Sequence, residues 1–127
     1  MKTEEIIQIL LDQKLARLGD AFVNFVYSLA LTRSIGEPIG IKVSDKVLAR
    51  AAQEAGIRQL LPKRTTRDQV SNAVESLVVY AWLHKHMTID EISAILEAQR
   101  DQPYDPFKAL LQKILSELIN KRDSIEN

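Results

Sequence analysis

The sequence predicts an all-α fold, and three observations lead to this prediction. Apolar residues recur three and four positions apart along almost the whole chain, and no segment alternates apolar with polar residues as a half-buried strand would. The apolar segments begin with Ser, Thr or Asp, which are the residues that cap helices. The 127 residues include only 4 Gly and 4 Pro, which disfavours a loop-rich or all-β design.

Three helices are predicted in the first half of the chain. A short helix begins at Thr3, and a longer one, apolar on nearly every side, runs from about Leu15 to Leu31. We expect the longer helix to be buried because its whole circumference is apolar. A loop rich in Gly and Pro follows it. Ser44 is a favourable N-cap for the third helix, which extends to Ala55 and is closed by Gly56.

Three more helices are predicted in the second half. Two begin with a capping box, in which a Thr and a residue three positions later exchange hydrogen bonds with the backbone. The boxes are Thr66 with Gln69, opening a helix to about His84, and Thr88 with Glu91, opening a helix to about Gln102. Asp105 as N-cap and Pro106 in the first turn open the last helix. Because no repeat or linker divides the chain, we predict a single domain over residues 1–127.

Composition narrows the possible functions. Lys plus Arg and Asp plus Glu each number 17, so the net charge is +0 and contact with nucleic acid requires a local basic patch. The absence of Cys excludes disulfides, thiolate metal sites and a Cys nucleophile. The acidic start, Met-Lys-Thr-Glu-Glu, is unlike a signal peptide, and no apolar run approaches the roughly 18 residues of a membrane span. We therefore expect a cytoplasmic protein without a membrane partner.

Polar residues interrupt the two most apolar helices. In the first, Asp20, Asn24 and Ser28 stand four residues apart and share one face. In the second, over residues 70–83, Glu75 is the lone acid in an apolar stretch. An ionised carboxylate in such a helix is strongly destabilising unless a partner compensates it. Asp20 and Glu75 are therefore the first candidates for functional residues.

Two explanations remain open for these acids. If the two helices cross near Asp20 and Glu75, the carboxylates meet in one pocket whose oxygen atoms suit Mg2+. A metal bound there can polarise a phosphoryl oxygen and activate a water molecule. Alternatively, Asp20 bonds Asn24 or Asn72 and Glu75 bonds a neighbouring hydroxyl, so that both acids are merely satisfied polar groups.

A basic cluster precedes the second of these helices. Lys63, Arg64 and Arg67 are candidates for contacts with the phosphates of a nucleic acid, which supply most of its affinity for proteins. Lys42 and Lys46 are weaker candidates for the same role. The alternative is a solvated loop with ordinary surface charge.

Three segments resemble the ribonuclease III catalytic domain, in the same order. Leu15-Ala-Arg-Leu-Gly-Asp-Ala-Phe-Val23 resembles the family's signature helix, whose core is Leu-Gly-Asp-Ala. Residues 43–61 are similar to the middle segment, in which a start like Val-Ser-Asn leads into a helix and then Gly-Leu. Asn72-Ala-Val-Glu-Ser-Leu77 looks like the second acidic motif, Asp-x-x-Glu-Ala-Leu. The resemblance is strongest over residues 10–100.

The chain departs from the family pattern at two of its four acidic positions. The family carries a Glu four residues before Asp20 and an Asp three residues before Glu75, and these places hold Ala16 and Asn72. Arg17 stands where the family usually has an aromatic residue that pairs subunits. The compact bacterial form called Mini-III is similar in keeping mainly the Asp and the later Glu and in lacking an appended double-stranded-RNA-binding domain.

The resemblance implies a helical domain that forms a symmetric homodimer along the signature helix and binds double-stranded or structured RNA. The implied reaction is metal-dependent hydrolysis of phosphodiester bonds. Asp20 and Glu75 would bind Mg2+ or Mn2+, Asn72 would be a neutral ligand or an orienting group, and Asp68 is a candidate substitute ligand. Alternatively, without two of the acids the domain is a catalytically inactive relative that binds structured RNA or a protein partner.

Overall fold

The computed structural model describes residues 1–98 and 101–126, with side chains through residue 120. These residues form helices and no strand, which confirms the all-α prediction. The α-helices, in chain order, are α1 Thr3–Leu10, α2 Gln13–Ile35, α3 Asp45–Glu54, α4 Arg67–Leu83, α5 Ile89–Glu97 and α6 Asp105–Glu126. A short 3-10 helix, Arg58–Leu60, lies between α3 and α4.

The predicted caps form at the starts of α3, α4 and α5. The Ser44 hydroxyl accepts a hydrogen bond from a backbone N–H in the first turn of α3. Both capping boxes are complete, Thr66 with Gln69 at α4 and Thr88 with Glu91 at α5. Local side-chain chemistry therefore sets these helix starts.

The predicted boundary between the last two helices is wrong. α5 ends at Glu97 instead of Gln102, because the backbone of Ala98 is already extended. Pro103 also disfavours a helix that reaches Gln102, since a residue that precedes proline avoids helical geometry. Asp105 lies within α6 instead of capping it, and its carboxylate accepts a hydrogen bond of 3.0 Å from the backbone N–H of Gln102.

Helix α2 is longer and less buried than predicted. Its start is fixed by the Asp12 side chain, which accepts hydrogen bonds from two N–H groups of the first turn, and Gly36, at φ +87°, ends it. The expected burial on all sides is wrong, because Leu18 is 45% and Phe25 53% exposed. In the described part of the chain no helix, α2 included, is both long and apolar enough to cross a membrane.

Helix α4 lies at the centre of the fold. It packs against α2 more extensively than any other two helices pack against each other, and it also contacts α1, α3 and α6. Most of the fully buried residues of these helices are aliphatic, among them Val23 and Val26 of α2, Val74, Leu77 and Val78 of α4, and Leu111 and Ile114 of α6. Burial of each such side chain stabilises the fold by about 1.5–3 kcal/mol.

Gly19 sets the distance between α2 and α4. A Cβ atom built on Gly19 would overlap the backbone carbonyl of Glu75, so only a residue without a side chain fits there. The two helix backbones are therefore in direct contact at this point. The contact brings Asp20, the next residue of α2, beside Glu75 on α4.

Two buried serines connect α4 to its neighbours. The Ser76 hydroxyl lies 3.0 Å from the backbone carbonyls of both Asp12 and Asn72, which joins α4 to the start of α2. The Ser71 hydroxyl donates to the Asp45 carboxylate at 2.8 Å, which joins α4 to the start of α3. These bonds orient both neighbouring helices around the same part of α4.

We expect Gly19→Ala to lower the free energy of unfolding by at least about 2 kcal/mol, because the added methyl group forces α2 and α4 apart. The sign of the change in the free energy of unfolding is informative, since Ala in place of Gly stabilises an uncrowded helix by about 1 kcal/mol. Urea denaturation measures the change. Gly40→Ala is the matched control, because nothing lies within 4 Å of a Cβ atom at Gly40. A neutral or stabilising effect of Gly19→Ala would contradict the proposed contact.

Candidate functional site

Asp20 and Glu75 meet where α2 crosses α4. Glu75 is 6% exposed, whereas Asp20 lies at the surface, so one carboxyl forms the inner wall of the site and the other its mouth. The two carboxyl groups are hydrogen-bonded to each other. The sequence-based expectation that the two lone acids converge agrees with this geometry.

The surroundings of Glu75 raise its pKa from 4.5 to about 8. Burial is the largest cause, because removal from water disfavours the charged form. The hydrogen bond to Asp20 and the negative charges of Asp20 and Asp45 act in the same direction. The positive charge of Lys42 opposes them. The pocket around Glu75 therefore holds more acids, Asp20, Asp45, Asp68 and Glu75, than cations, Arg17 and Lys42.

An open pocket of about 410 Å³ surrounds the two acids. Its polar lining comes from α2, the loop before α3, the start of α3, and α4: Gln13, Arg17, Asp20, Lys42, Asp45, Asp68, Asn72 and Glu75. Asn72 lies one turn before Glu75, and Asp68 one turn before Asn72, so three polar side chains of α4 line the same pocket. The pocket opens to solvent beside Asp20.

The donor atoms suit a hard cation but are few. Mg2+ prefers oxygen ligands and is often held by one or two carboxylates together with water and substrate phosphate. Asp20 and Glu75 provide such a pair, and Asn72 adds an amide oxygen to the pocket. Among the described residues, no group of three or more His, Cys, Asp or Glu side chains is arranged to hold a metal ion.

The two non-acidic departures from the family pattern lie side by side. Ala16 and Asn72 both line the Asp20–Glu75 pocket and also the adjoining cleft of about 300 Å³ at the junction of α1 and α2. The adjoining cleft also contains Arg64. Two uncharged side chains therefore stand where the family carries acids, and the adjoining cleft is lined by one cation, Arg64, and one acid, Asp12.

The alternative explanation, that the polar residues of α2 are merely satisfied by hydrogen bonds to their neighbours, holds for part of this polar face. The Asn24 amide donates to Asp20 at 3.2 Å and accepts from the backbone N–H of Val43 at 2.8 Å. The Ser28 hydroxyl accepts from the backbone N–H of Ile41 at 2.9 Å. Asn24 and Ser28 thus fasten the loop before α3 to α2. Among the residues that the structure describes, no hydroxyl group is hydrogen-bonded to Glu75, whose partner is Asp20.

The residues of the predicted basic cluster face two neighbouring clefts, and Thr65 lines both. Arg64 faces the cleft beside the acidic pocket, whereas Arg67 faces a different cleft on the side of α3, and Lys63 is exposed in the loop. Lys42, only a weaker candidate in the sequence, lies in the acidic pocket and acts on Glu75. Asp45 lies there too and was not predicted, because no sequence pattern relates the start of α3 to α4.

The profile of the family described as Ribonuclease III matches residues 13–125 of the chain. The chain belongs to the ribonuclease III family. The match covers α2 and α4 and so includes Gly19, Asp20 and Glu75. None of the curated proteins compared with the chain matches it. Ribonuclease III domains act on double-stranded RNA, commonly dimerise and generally use divalent metals.

We expect Glu75 to make the metal-free protein less stable as the pH rises. Its pKa is about 8 in the fold against an ordinary 4.5, so the folded state holds this proton more tightly than the unfolded state. The resulting stabilisation is fully present below about pH 4.5 and is lost as the pH rises through about 8. The free energy of unfolding should fall across this interval.

Urea denaturation at about pH 5 and about pH 9, in the presence of a chelator, measures this dependence. Glu75→Gln is the control, since its amide cannot ionise. Wild type should lose about 2–4 kcal/mol more than the variant between the two pH values. Equal losses in the two proteins would show that Glu75 titrates normally.

Proposed function

We propose that the protein is a metal-dependent endoribonuclease that hydrolyses phosphodiester bonds of double-stranded or structured RNA. The observation that carries the proposal is the direct contact of the Asp20 and Glu75 carboxyl groups at the α2–α4 crossing. Two acids placed together in a partly buried site destabilise a fold once both are ionised, and an amide in place of either would relieve that repulsion. A bound cation would compensate the charge of the two acids. Membership of the ribonuclease III family suggests that this cation is a divalent metal.

In this proposal Asp20 and Glu75 hold Mg2+ or Mn2+, and Asn72 is a neutral ligand or orients one of the acids. The metal, when bound, polarises the phosphoryl oxygen and lowers the pKa of a water molecule. Overall, the water oxygen forms a bond to phosphorus, the bond from phosphorus to a ribose oxygen breaks, and that oxygen leaves with a proton. Lys42, facing the pocket, attracts the negative charge of the scissile phosphate.

Basic residues around the pocket are proposed to hold the RNA backbone. Arg64, in the cleft next to the acids, is the nearest of the sequence-predicted set, and Lys63 precedes it in the same exposed loop. Arg67, on the other side of α4, would contact phosphates farther along the strand. Because the chain has a net charge of +0, these local cations must supply the attraction for RNA.

We also infer that two copies pair along the exposed side of α2. Leu18, Phe25 and Leu29 lie seven and four residues apart on one face, and Leu18 and Phe25 are about half exposed. Ile41, 44% exposed, extends the apolar strip beside them. A contiguous apolar strip on a surface helix is typical of a protein interface. Arg17 points into the acidic pocket instead and does not belong to this strip.

Asp20→Asn and Glu75→Gln should each reduce cleavage of duplex RNA by on the order of 1,000-fold, because each removes a negatively charged ligand from the metal. Circular dichroism should show an unchanged helical fold. Glu37→Gln, which removes an exposed carboxylate from the loop after α2, is the control and should cleave at the wild-type rate. Near wild-type cleavage by both pocket variants would contradict the mechanism.

A catalytically inactive domain that binds structured RNA or a protein partner is the second candidate. Ala16 and Asn72 at the family's acidic positions, and the small number of acidic ligands, favour it. Labelled duplex RNA incubated with and without Mn2+ separates the two candidates. The nuclease cleaves with Mn2+, and Mn2+ raises the melting temperature of wild type but not of Asp20→Asn. The inactive domain shifts the RNA without cleavage and shows no response to Mn2+.

Phe25→Glu should convert a dimer into a monomer. Pairing would bury a charge in the centre of the apolar strip, and burial of an unpaired charge is strongly unfavourable. Sedimentation velocity or light scattering measures the mass in solution. Ile119→Glu, at an exposed apolar position on α6, is the control and should remain dimeric. A monomeric wild type, or a dimeric Phe25→Glu, would exclude this interface.

A further inference from the structure

The acidic pocket contains a carboxylate on α3 to which the proposed reaction gives no role. Asp45, the first residue of α3, lines the pocket together with Asp20, Asp68 and Glu75. Asp20 and Asp45 are the acids whose charges raise the pKa of Glu75, so Asp45, and not Asp68, is the third acid that interacts with this pair. Within the residues that the structure describes, no Lys or Arg forms an ion pair with Asp45.

The Ser71 hydroxyl holds the Asp45 carboxylate against α4. The fully buried hydroxyl donates a hydrogen bond of 2.8 Å to Oδ1 of Asp45. Ser71 lies four residues before Glu75, so these two side chains are neighbours on one face of α4. The first turn of α3, in which Asp45 lies, favours a negative charge because of the helix dipole. The fold therefore fixes a charged carboxylate beside Glu75 and leaves its second oxygen, Oδ2, for another partner.

Asp45 and Asn72 exchange an acid and an amide relative to the family pattern. Residues 43–61 resemble a family segment that begins Val-Ser-Asn, and this chain has Asp45 in place of that Asn. The Asp that the family carries three residues before Glu75 is in turn replaced by Asn72. Asp45 and Asn72 line the same pocket, and Ser71, which binds Asp45, is the residue before Asn72. An acid that is missing from α4 is thus present on α3 at the same pocket.

We propose that Asp45 is a third acid of the metal site and supplies the negative charge that Asn72 does not. The proposal rests on the proposed function for the presence of Mg2+ or Mn2+. Among the described residues no three acids are arranged to ligate one ion directly, so Asp45 acts through a water molecule of the hydrated cation. Mg2+ usually keeps several of its waters, and groups that bind such outer partners of a metal strengthen its binding. Asp45 is accordingly a positioning residue and not a direct ligand.

The affinity of the whole chain for Mn2+, measured without RNA from the electron paramagnetic resonance signal of the free ion, tests the proposal. Asp45→Asn isolates the charge, because the amide oxygen of Asn can still accept the hydrogen bond from Ser71. We expect this variant to bind Mn2+ on the order of 10-fold more weakly than wild type. Asp45→Asn/Asn72→Asp, which returns the acid to α4, should recover most of the affinity.

Asp90→Asn is the matched control. Asp90, like Asp45, is an acid in the first turn of a helix and accepts a side-chain hydrogen bond, in this case from Arg33 at 3.0 Å. Arg33 lies about 20 Å along α2 from Asp20, so its partner Asp90 is remote from the acidic pocket. Asp90→Asn should bind Mn2+ like wild type. Urea denaturation checks that all variants are folded.

Unchanged Mn2+ affinity in Asp45→Asn would overturn the proposal. A loss that Asn72→Asp does not recover would overturn it too, because an acid on α4 cannot restore a purely structural role of Asp45. Asp20→Asn separates this inference from the proposed function. If Asp20→Asn loses Mn2+ binding and Asp45→Asn does not, only the role of Asp45 is wrong. A wild type that binds no Mn2+, or an affinity that survives both Asp20→Asn and Glu75→Gln, would overturn the proposed metal site itself.

Discussion

The close approach of α2 and α4 at Gly19 is the constraint on which the site depends. Because a Cβ atom at Gly19 would overlap the Glu75 carbonyl, the absence of a side chain lets the two backbones touch. The Asp20 carboxyl is then within hydrogen-bonding distance of the Glu75 carboxyl. With α2 farther away, the two carboxyl groups would no longer reach each other. The same contact that packs the core thus also creates the electrostatic stress from which the candidate function follows.

The fold separates charge on a molecular surface that is neutral overall. Asp45 and Lys46 are adjacent in α3, but Asp45 lines the acidic pocket and Lys46 lines the neighbouring cleft on the side of α3. Asp68 and Arg67 are divided between the same two surfaces at the start of α4. Acids collect where a cation would bind, and bases collect where a polyanion would lie. The division needs no large net charge, because Coulomb interactions are strongest at short range and are screened within about 8 Å in physiological salt.

Polar residues on an apolar helix have different roles according to what lies opposite them. Asn24 and Ser28 are satisfied by the loop before α3, whereas Asp20, on the same face, reaches Glu75 as well as Asn24. The stress on Glu75 and the exposed apolar strip of α2 are both unfavourable for an isolated chain. In the proposed function each is relieved by a partner, a cation in one case and a second subunit in the other.

The sequence by itself determined the helical class, most helix starts and the two central acids, because helical periodicity and capping depend on residues within a few positions of one another. Capping at Ser44, Thr66 and Thr88 is local chemistry of this kind. Only the tertiary structure decided that Asp45 and Lys42 join the acidic pocket, that Arg64 and Arg67 face different clefts, and that one side of α2 stays exposed. These outcomes depend on how helices distant in sequence rotate and pack, and no local pattern encodes that.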